Sequence, residues 1–328
     1  MQEIKEIVES ILQGEVRAAA RLMRELDDGV PRAREVLKYL YPHSGGAHIL
    51  GITGSPGVGK STLTDRIIQY LRQEGKTVGV IAVDPTSPFT GGAILGDRIR
   101  MQRHALDEGV FIRSLATRGH FGGLTGSARA VITVLDAMGK DCVLVETVGV
   151  GQDEVEIASA ADTTLVVTVP GLGDDIQAIK AGILEVADLL VVNKADREGA
   201  SRTQQDLLQM LELQTRRKSG DWKPRVFMTQ AKKNLGIDEL MAGVKEHREH
   251  LSRDGGKVLQ AARLARLRSE FLDLLKEGLF ARLMAHLTRT GRLDEILLDI
   301  LERRTDPYSA GEALVLETLG PGASQKNH

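Results

Sequence analysis

The chain has 328 residues, 42% hydrophobic but only 3% aromatic, so its core must be built from Leu, Val, Ile and Ala, as in a helix-covered parallel sheet. Its 43 basic and 45 acidic side chains give a net charge of −2, which removes any electrostatic case for nucleic-acid or membrane-surface binding. A single cysteine, Cys142, excludes a disulfide framework and a thiolate zinc site, and no apolar run approaches the roughly 18 residues of a membrane span.

The first residues, MQEIKEIVES, have neither the basic start nor the apolar block of a signal peptide, so a cytoplasmic protein is expected. Residues 1–44 read as helices. Ile4, Ile7, Val8, Ile11 and Leu12 share a face that stops at Gly14, a second run follows from Val16 to Leu26, and Pro31 opens a third. The HSGG stretch at 43–46 reads as a hinge.

From 47 to about 250, short apolar runs begin at 48, 77, 109, 142, 163, 188 and 225. Helix-period segments lie between most of them, at 60–73, 124–138, 173–187, 201–215 and 236–250. Such alternation predicts a doubly wound, mainly parallel α/β sheet with the ligand at the carboxyl edge of its strands. Residues 257–304 return to helix, with Leu264, Leu267, Phe271, Leu274, Leu275 and Leu279 on one face, and GPGASQKNH at the end reads as disordered. The expected organisation is an N-terminal helical region (1–44), an α/β domain (45–250) and a C-terminal helical arm (251–328).

GSPGVGKS, residues 54–61, fills every fixed position of G-x-x-x-x-G-K-[ST] between an expected strand and an expected helix. Gly54, Gly57 and Gly59 let the backbone curl so that N–H groups around Ser55, Val58 and Thr62 face a β-phosphate. Lys60 should reach the β- and γ-oxygens, and the Ser61 hydroxyl should ligate Mg²⁺. The fold class is therefore a P-loop NTPase.

VETVGVGQDE, residues 145–154, places Glu146 at the end of a buried strand, where a carboxylate needs a cation or donors. Read beside the P-loop, Glu146 faces the magnesium, and the Gly149 N–H senses the γ-phosphate. Asp84, before Pro85, and Asp97, in a glycine-rich segment, are further candidates for the ion. NKAD at 193–196 supplies the base site. Asp196 can accept from guanine N1–H and N2–H₂ and so selects against ATP, Asn193 braces the neighbouring loop, and the Lys194 stem covers the ring. Gln230 and Ala231, in TQAKKN, are placed to offer a backbone N–H to the guanine O6.

Together with DPTSPFTGGAILGDRIRM (84–101), ATRGHFGG (116–123), GDDIQAIKAGILEVAD (173–188) and DPYSAGEAL (306–314), these stretches resemble the MeaB/MMAA-type GTPases of the G3E group. The resemblance implies a homodimeric GTPase using GTP/GDP and Mg²⁺, with the C-terminal helices as dimerisation arm. It also implies a role as chaperone of an adenosylcobalamin-dependent acyl-CoA mutase, typically methylmalonyl-CoA mutase, gating cofactor loading and protecting the enzyme. By motif it carries Asp84, Asp97 and Glu146 into the magnesium and switch elements. Asp174, Gln177 and Lys180 fall into an extra switch that couples nucleotide state to the partner. Lys60, Glu146, Asp97 and Lys180 are thus the candidate catalytic residues. One departure is the base loop, which reads TQAKK where the family usually has TSA. Val150 stands where a water-positioning Gln is usual, with Gln152 nearby, so slow, partner-dependent turnover is expected, with Arg98 and Arg118 as candidates for transition-state charge. The alternative, a G3E metallochaperone delivering nickel or cobalt, is poorly served by eight scattered His and one Cys.

Overall fold

Seven runs rich in Val, Ile and Leu form the strands β1 (His48–Thr53), β2 (Val78–Pro85), β3 (Val110–Thr117), β4 (Cys142–Glu146), β5 (Thr163–Thr168), β6 (Leu189–Val192) and β7 (Arg225–Met228). They pair in parallel in the order β3-β2-β4-β1-β5-β6-β7. The helices are α1 (Gln2–Leu12), α2 (Val16–Asp27), α3 (Pro31–Leu40), α4 (Lys60–Gln73), α5 (Gly123–Ala137), α6 (Ala200–Leu213), α7 (Ile237–Thr290), α8 (Arg292–Leu301) and α9 (Pro307–Leu319). This computed structural model describes residues 2–85, 101–104, 106–117, 123–147, 160–171, 186–213 and 222–319. Asp97, Arg98, Arg118, Gly149, Gln152, Asp174, Gln177 and Lys180 lie outside the described residues, as do the expected helix at 173–187, apart from its end, and the tail from 320. Of Asp84 only the backbone is described.

Strand alternation sorts the core onto the two faces of the sheet. Ile49, Ile81, Val143 and Val145 pack with α5 and with Ile11, Met23 and Val36 of the three N-terminal helices. Their neighbours Leu50, Val80, Leu144 and Leu165 pack with Leu63 and Ile67 of α4 and Leu240 and Val244 of α7. The N-terminal helices thus share a core with the sheet. The expected hinge is tied down: Asp136 of α5 accepts the N–H groups of Gly45, Gly46 and Ala47 at 2.5, 3.1 and 2.9 Å.

The chain divides into two units, Met1–Arg268 and Ser269–His328. Within α7 the helical dihedrals break at Arg253–Gly256, where Asp254, Gly255 and Gly256 take positive φ, as the RDGG sequence allows. In the second unit Phe271, Leu274, Leu275, Leu279, Leu297 and Leu301 are exposed. Helix α9 falls within the expected C-terminal arm but beyond the helical run read at 257–304. Its signal is the Asp306-Pro307 pair: Asp306 caps the N–H groups of Tyr308 (2.9 Å) and Ser309 (3.0 Å), and proline occupies the first turn.

At the amino edge of the sheet, opposite the expected site, the Thr163 hydroxyl bridges His48 Nε2 (3.1 Å) and His247 Nδ1 (2.8 Å). Burial lowers both imidazoles to about 4, outweighing the nearby Asp162; Arg248, Arg263 and Arg266 reinforce it for His48, and His48 and His250 for His247. Folding therefore depresses each pKa below the 6.5 of the unfolded chain, so the unfolded state binds more protons between pH 6.5 and 4. The stability these neutral histidines contribute is present above pH 6.5 and is lost as pH falls through that window, up to about 3 kcal/mol for each. Thermal unfolding at pH 7 and 4.5 should show this loss, and His48→Gln should flatten the slope. An unchanged slope would contradict the assignment.

Candidate functional site

The connection from β1 leads toward β2 and that from β5 toward β6, so the carboxyl ends of the central strands open into a crevice. The P-loop spans this point, between β1 and the first residue of α4, Lys60. Its glycines are dictated by contact as well as by dihedral. Gly54 has φ +138°, and a Cβ there would sit 2.1 Å from the Val167 carbonyl oxygen of β5. Gly59 has φ +98°, and its Cβ would meet Asn193 Nδ2 at 2.6 Å. Val58 is buried and packs into the sheet core. Lys60 is 6% exposed and donates to the carbonyls of Gly54 (2.6 Å) and Ser55 (3.0 Å). The loop thereby holds the ammonium inside the turn where phosphate oxygens are expected.

Glu146 reaches the same place from the next strand, since parallel pairing sets it beside Ile52, two residues before the P-loop begins. It is 2% exposed, and Ser61 Oγ donates to its Oε1 at 2.6 Å. Thr53 and Thr147 join their hydroxyls beside this pair at 3.1 Å. On β2, Ala82 pairs with Glu146, so the Asp84 backbone lies two residues further along the same edge. A buried hydroxyl and carboxylate converging on a phosphate loop form a hard-oxygen donor set, which fits Mg²⁺.

The NKAD element follows β6. Asn193 is buried and links two loops: Nδ2 donates to the Val58 carbonyl (2.9 Å), and Oδ1 accepts from Thr229 Oγ1 (3.1 Å) and the Ala231 N–H (3.1 Å). The bracing role expected of Asn193 is present, and it uses the Ala231 N–H that the sequence suggested for the base. Lys194 has φ +55°, and its Nζ donates to the Gly57 carbonyl at 2.6 Å, so its stem lies across the P-loop. Burial, with Arg197 and Lys232 adding positive charge, holds that ammonium below the ordinary lysine range. Asp196 is exposed, 3.7 Å from Lys233 Nζ.

A cavity of about 580 Å³ runs from Lys60, Ser61, Thr62 and Glu146 at one end to Asn193, Lys194, Asp196, Gln230 and Ala231 at the other. The separately inferred phosphate and base elements thus line one cavity. Arg197 also lines it, and no motif pointed to it, as do Lys232 and Lys233 of the TQAKKN loop, whose side chains the sequence reading gave no role. Behind it, Asp65 of α4 is held by Arg103 (Nε to Oδ1, 2.5 Å) and His104 (Nε2 to Oδ1, 3.0 Å), contacts that local sequence pattern does not encode.

The family described as Methylmalonyl Co-A mutase-associated GTPase MeaB matches residues 19–288. The chain belongs to this family. A protein of Pyrococcus abyssi is 49% identical over 322 residues, covering 98% of each chain. The GTPase ArgK of Escherichia coli is 38% identical over 290 residues, 85% of this chain and 86% of its own. The crystal structure of an LAO/AO transport system kinase matches with a TM-score of 0.73 and 28% identity, covering 98% of this chain and 99% of that one. As a MeaB-family member the chain is a P-loop GTPase that binds guanine nucleotide. Among the described residues no helix is long and apolar enough to cross a membrane.

Proposed function

We propose that this GTPase is a nucleotide-switched chaperone of an adenosylcobalamin-dependent acyl-CoA mutase, methylmalonyl-CoA mutase in the first instance, gating cofactor loading and protecting the enzyme. The observation that carries the chemistry is the buried 2.6 Å contact between Ser61 and Glu146 at the head of the P-loop. The choice of client is supported by the family's description as methylmalonyl Co-A mutase-associated.

Ser61 and Glu146, with Asp84 and Asp97 as further ligands, would hold Mg²⁺, which supplies neutralisation of phosphate charge when bound. Lys60 orients the terminal phosphates, and Asp196 and the loop at 230–233 read the base, through an N–H other than those of Gln230 and Ala231, which are bonded to Leu235 and Asn193. Val150 in place of a glutamine leaves this chain without the usual water-positioning side chain, so turnover is slow until a partner completes the site. Asp174, Gln177 and Lys180 are assigned to the coupling path. Lys180→Ala should leave intrinsic hydrolysis nearly intact while reducing stimulation by the mutase. A parallel fall in both rates would move Lys180 into the catalytic site.

The protein acts as a homodimer in this reading, because Phe271, Leu274, Leu275 and Leu279 form an apolar stripe on α7 that is exposed among the described residues. Phe271→Glu combined with Leu275→Glu should give a monomer by light scattering that still binds GDP. A variant that stays dimeric would overturn that use of the stripe. The client assignment is tested by mixing the protein with purified mutase in the presence of GDP or a non-hydrolysable GTP analogue. A complex on size exclusion with either nucleotide is expected, and separate elution under both would count against the assignment.

A further inference from the structure

The loop after β7 is built as a closed turn. Gln230 and Leu235 form an antiparallel bridge, residues 231–233 make one 3₁₀ turn, and Asn234 takes φ +58°. Gly236 then closes it with φ +75°, and any Cβ there would lie 2.1 Å from the Met228 carbonyl oxygen. Asn193 grips the loop from the sheet side through the Ala231 N–H. A second grip comes from α4, the helix that carries Lys60 and Ser61. Arg66 Nε donates to the Ala231 carbonyl at 2.9 Å and Nη2 to the Lys232 carbonyl at 3.3 Å, while Nη1 is steadied by Gln69 Oε1 at 3.0 Å.

One guanidinium therefore fixes two consecutive peptide planes. Both are trans, so each N–H points opposite to the carbonyl that Arg66 holds. In the first plane that N–H belongs to Lys232; in the second it belongs to Lys233, which donates back to the Gln230 carbonyl at 2.9 Å. The Lys232 N–H is thus aimed away from Arg66, and Ala231 and Lys232 both line the cavity. We propose that Arg66 is a specificity-determining positioning residue, which orients the 231–232 peptide so that its N–H meets the acceptor on the six-membered ring of guanine. Arg66 touches no nucleotide itself. This inference rests on the base site lying at Asp196 and the 230–233 loop.

An arginine suits the task because its planar fork spans two carbonyls with little freedom left, which a lysine cannot do. Removing it leaves Asn193 and the turn in place, so the fold should survive while the peptide plane loosens. The test compares wild type, Arg66→Gln and Arg66→Lys in competition against a fluorescent GDP analogue. Three competitors are compared by their variant-to-wild-type ratio: GDP, IDP (which keeps the six-position oxygen and lacks the two-amino group) and 2-aminopurine riboside diphosphate (which lacks that oxygen and with it the N1–H, and so binds more weakly to every form).

Arg66→Gln is expected to weaken GDP and IDP alike by about tenfold, the effect of losing one neutral N–H to carbonyl contact. The 2-aminopurine diphosphate should change little, kcat at saturating GTP should hold, and Arg66→Lys should recover part of the loss through a single donor. Equal weakening of all three competitors, or no weakening of GDP, would overturn the proposal. Should Arg66→Gln fail to fold, Arg66→Lys gives the same comparison at smaller amplitude. An Asp196→Asn variant that keeps its preference for guanine would instead overturn the placement of the base site, whatever Arg66 does.

Discussion

Replacing Glu146 by alanine is expected to lower GTP hydrolysis by about 100-fold or more while leaving GDP affinity within about tenfold. The asymmetry follows from where the carboxylate sits. Glu146 is 2% exposed and accepts from Ser61 Oγ at 2.6 Å, so in the proposed reading it serves the magnesium end of the cavity, away from the proposed base elements Asn193, Lys194 and Asp196. A magnesium ligand matters most when charge shifts toward the leaving oxygen as the β–γ bond breaks, a step for which GDP has no γ-phosphate. Glu146→Gln separates charge from shape, because the amide can still accept from Ser61 yet is a poor partner for a divalent cation. It should fold like the parent and be nearly as inactive as the alanine variant. Single-turnover hydrolysis and fluorescent GDP binding measure the two quantities. Turnover that survives in the glutamine variant would remove Glu146 from the magnesium site.

Asp196→Asn is expected to move the base preference from guanine to xanthine. In the proposed base site the aspartate offers two acceptor oxygens to guanine N1–H and N2–H₂, and asparagine turns one of them into a donor. Two opposed donors then cost on the order of 2–4 kcal/mol, which corresponds to roughly a 30- to 1,000-fold loss of GTP affinity. Xanthine carries a carbonyl where guanine has its amino group, so its nucleotide regains the bond. The variant should bind and hydrolyse XTP better than GTP, and neither form should use ATP well. In the structure Asp196 is exposed beside Lys233, so the substitution leaves the packed core intact. Competition among the three nucleotides reads the outcome, and an unchanged order would place base recognition elsewhere.

What could be read from the sequence was whatever the local backbone imposes. Gly54 and Gly59 are required by positive φ and by the approach of Val167 and Asn193, so the P-loop signature is a record of geometry. The parallel sheet was legible because strands buried on both faces carry near-continuous apolar runs, such as Val143–Val145 in β4, Leu165–Val167 in β5 and Leu189–Val192 in β6, each strand being buried from end to end. Glu146 was legible because a lone carboxylate at the end of such a strand needs a partner, and Ser61 supplies one.

Arg66, Asp136 and the Asp65–Arg103–His104 cluster were not legible. Each joins residues distant in sequence, and Arg66 and Asp136 bind backbone groups, which leave no mark on the partner's side chain. The HSGG segment misled for the same reason: glycines allow a hinge, but Asp136, some 90 residues away, holds it. Helix α9 could have been read from Asp306-Pro307, an N-cap followed by a first-turn proline.

The central claim is that GTP turnover here is coupled to an adenosylcobalamin-dependent mutase, and the most direct test is the GTP hydrolysis rate measured alone and with purified methylmalonyl-CoA mutase. Slow hydrolysis alone and a rise of at least about tenfold with the mutase is the predicted result, as when a partner completes a P-loop site. An unchanged rate with an active mutase, across a concentration range that saturates any complex, would contradict it.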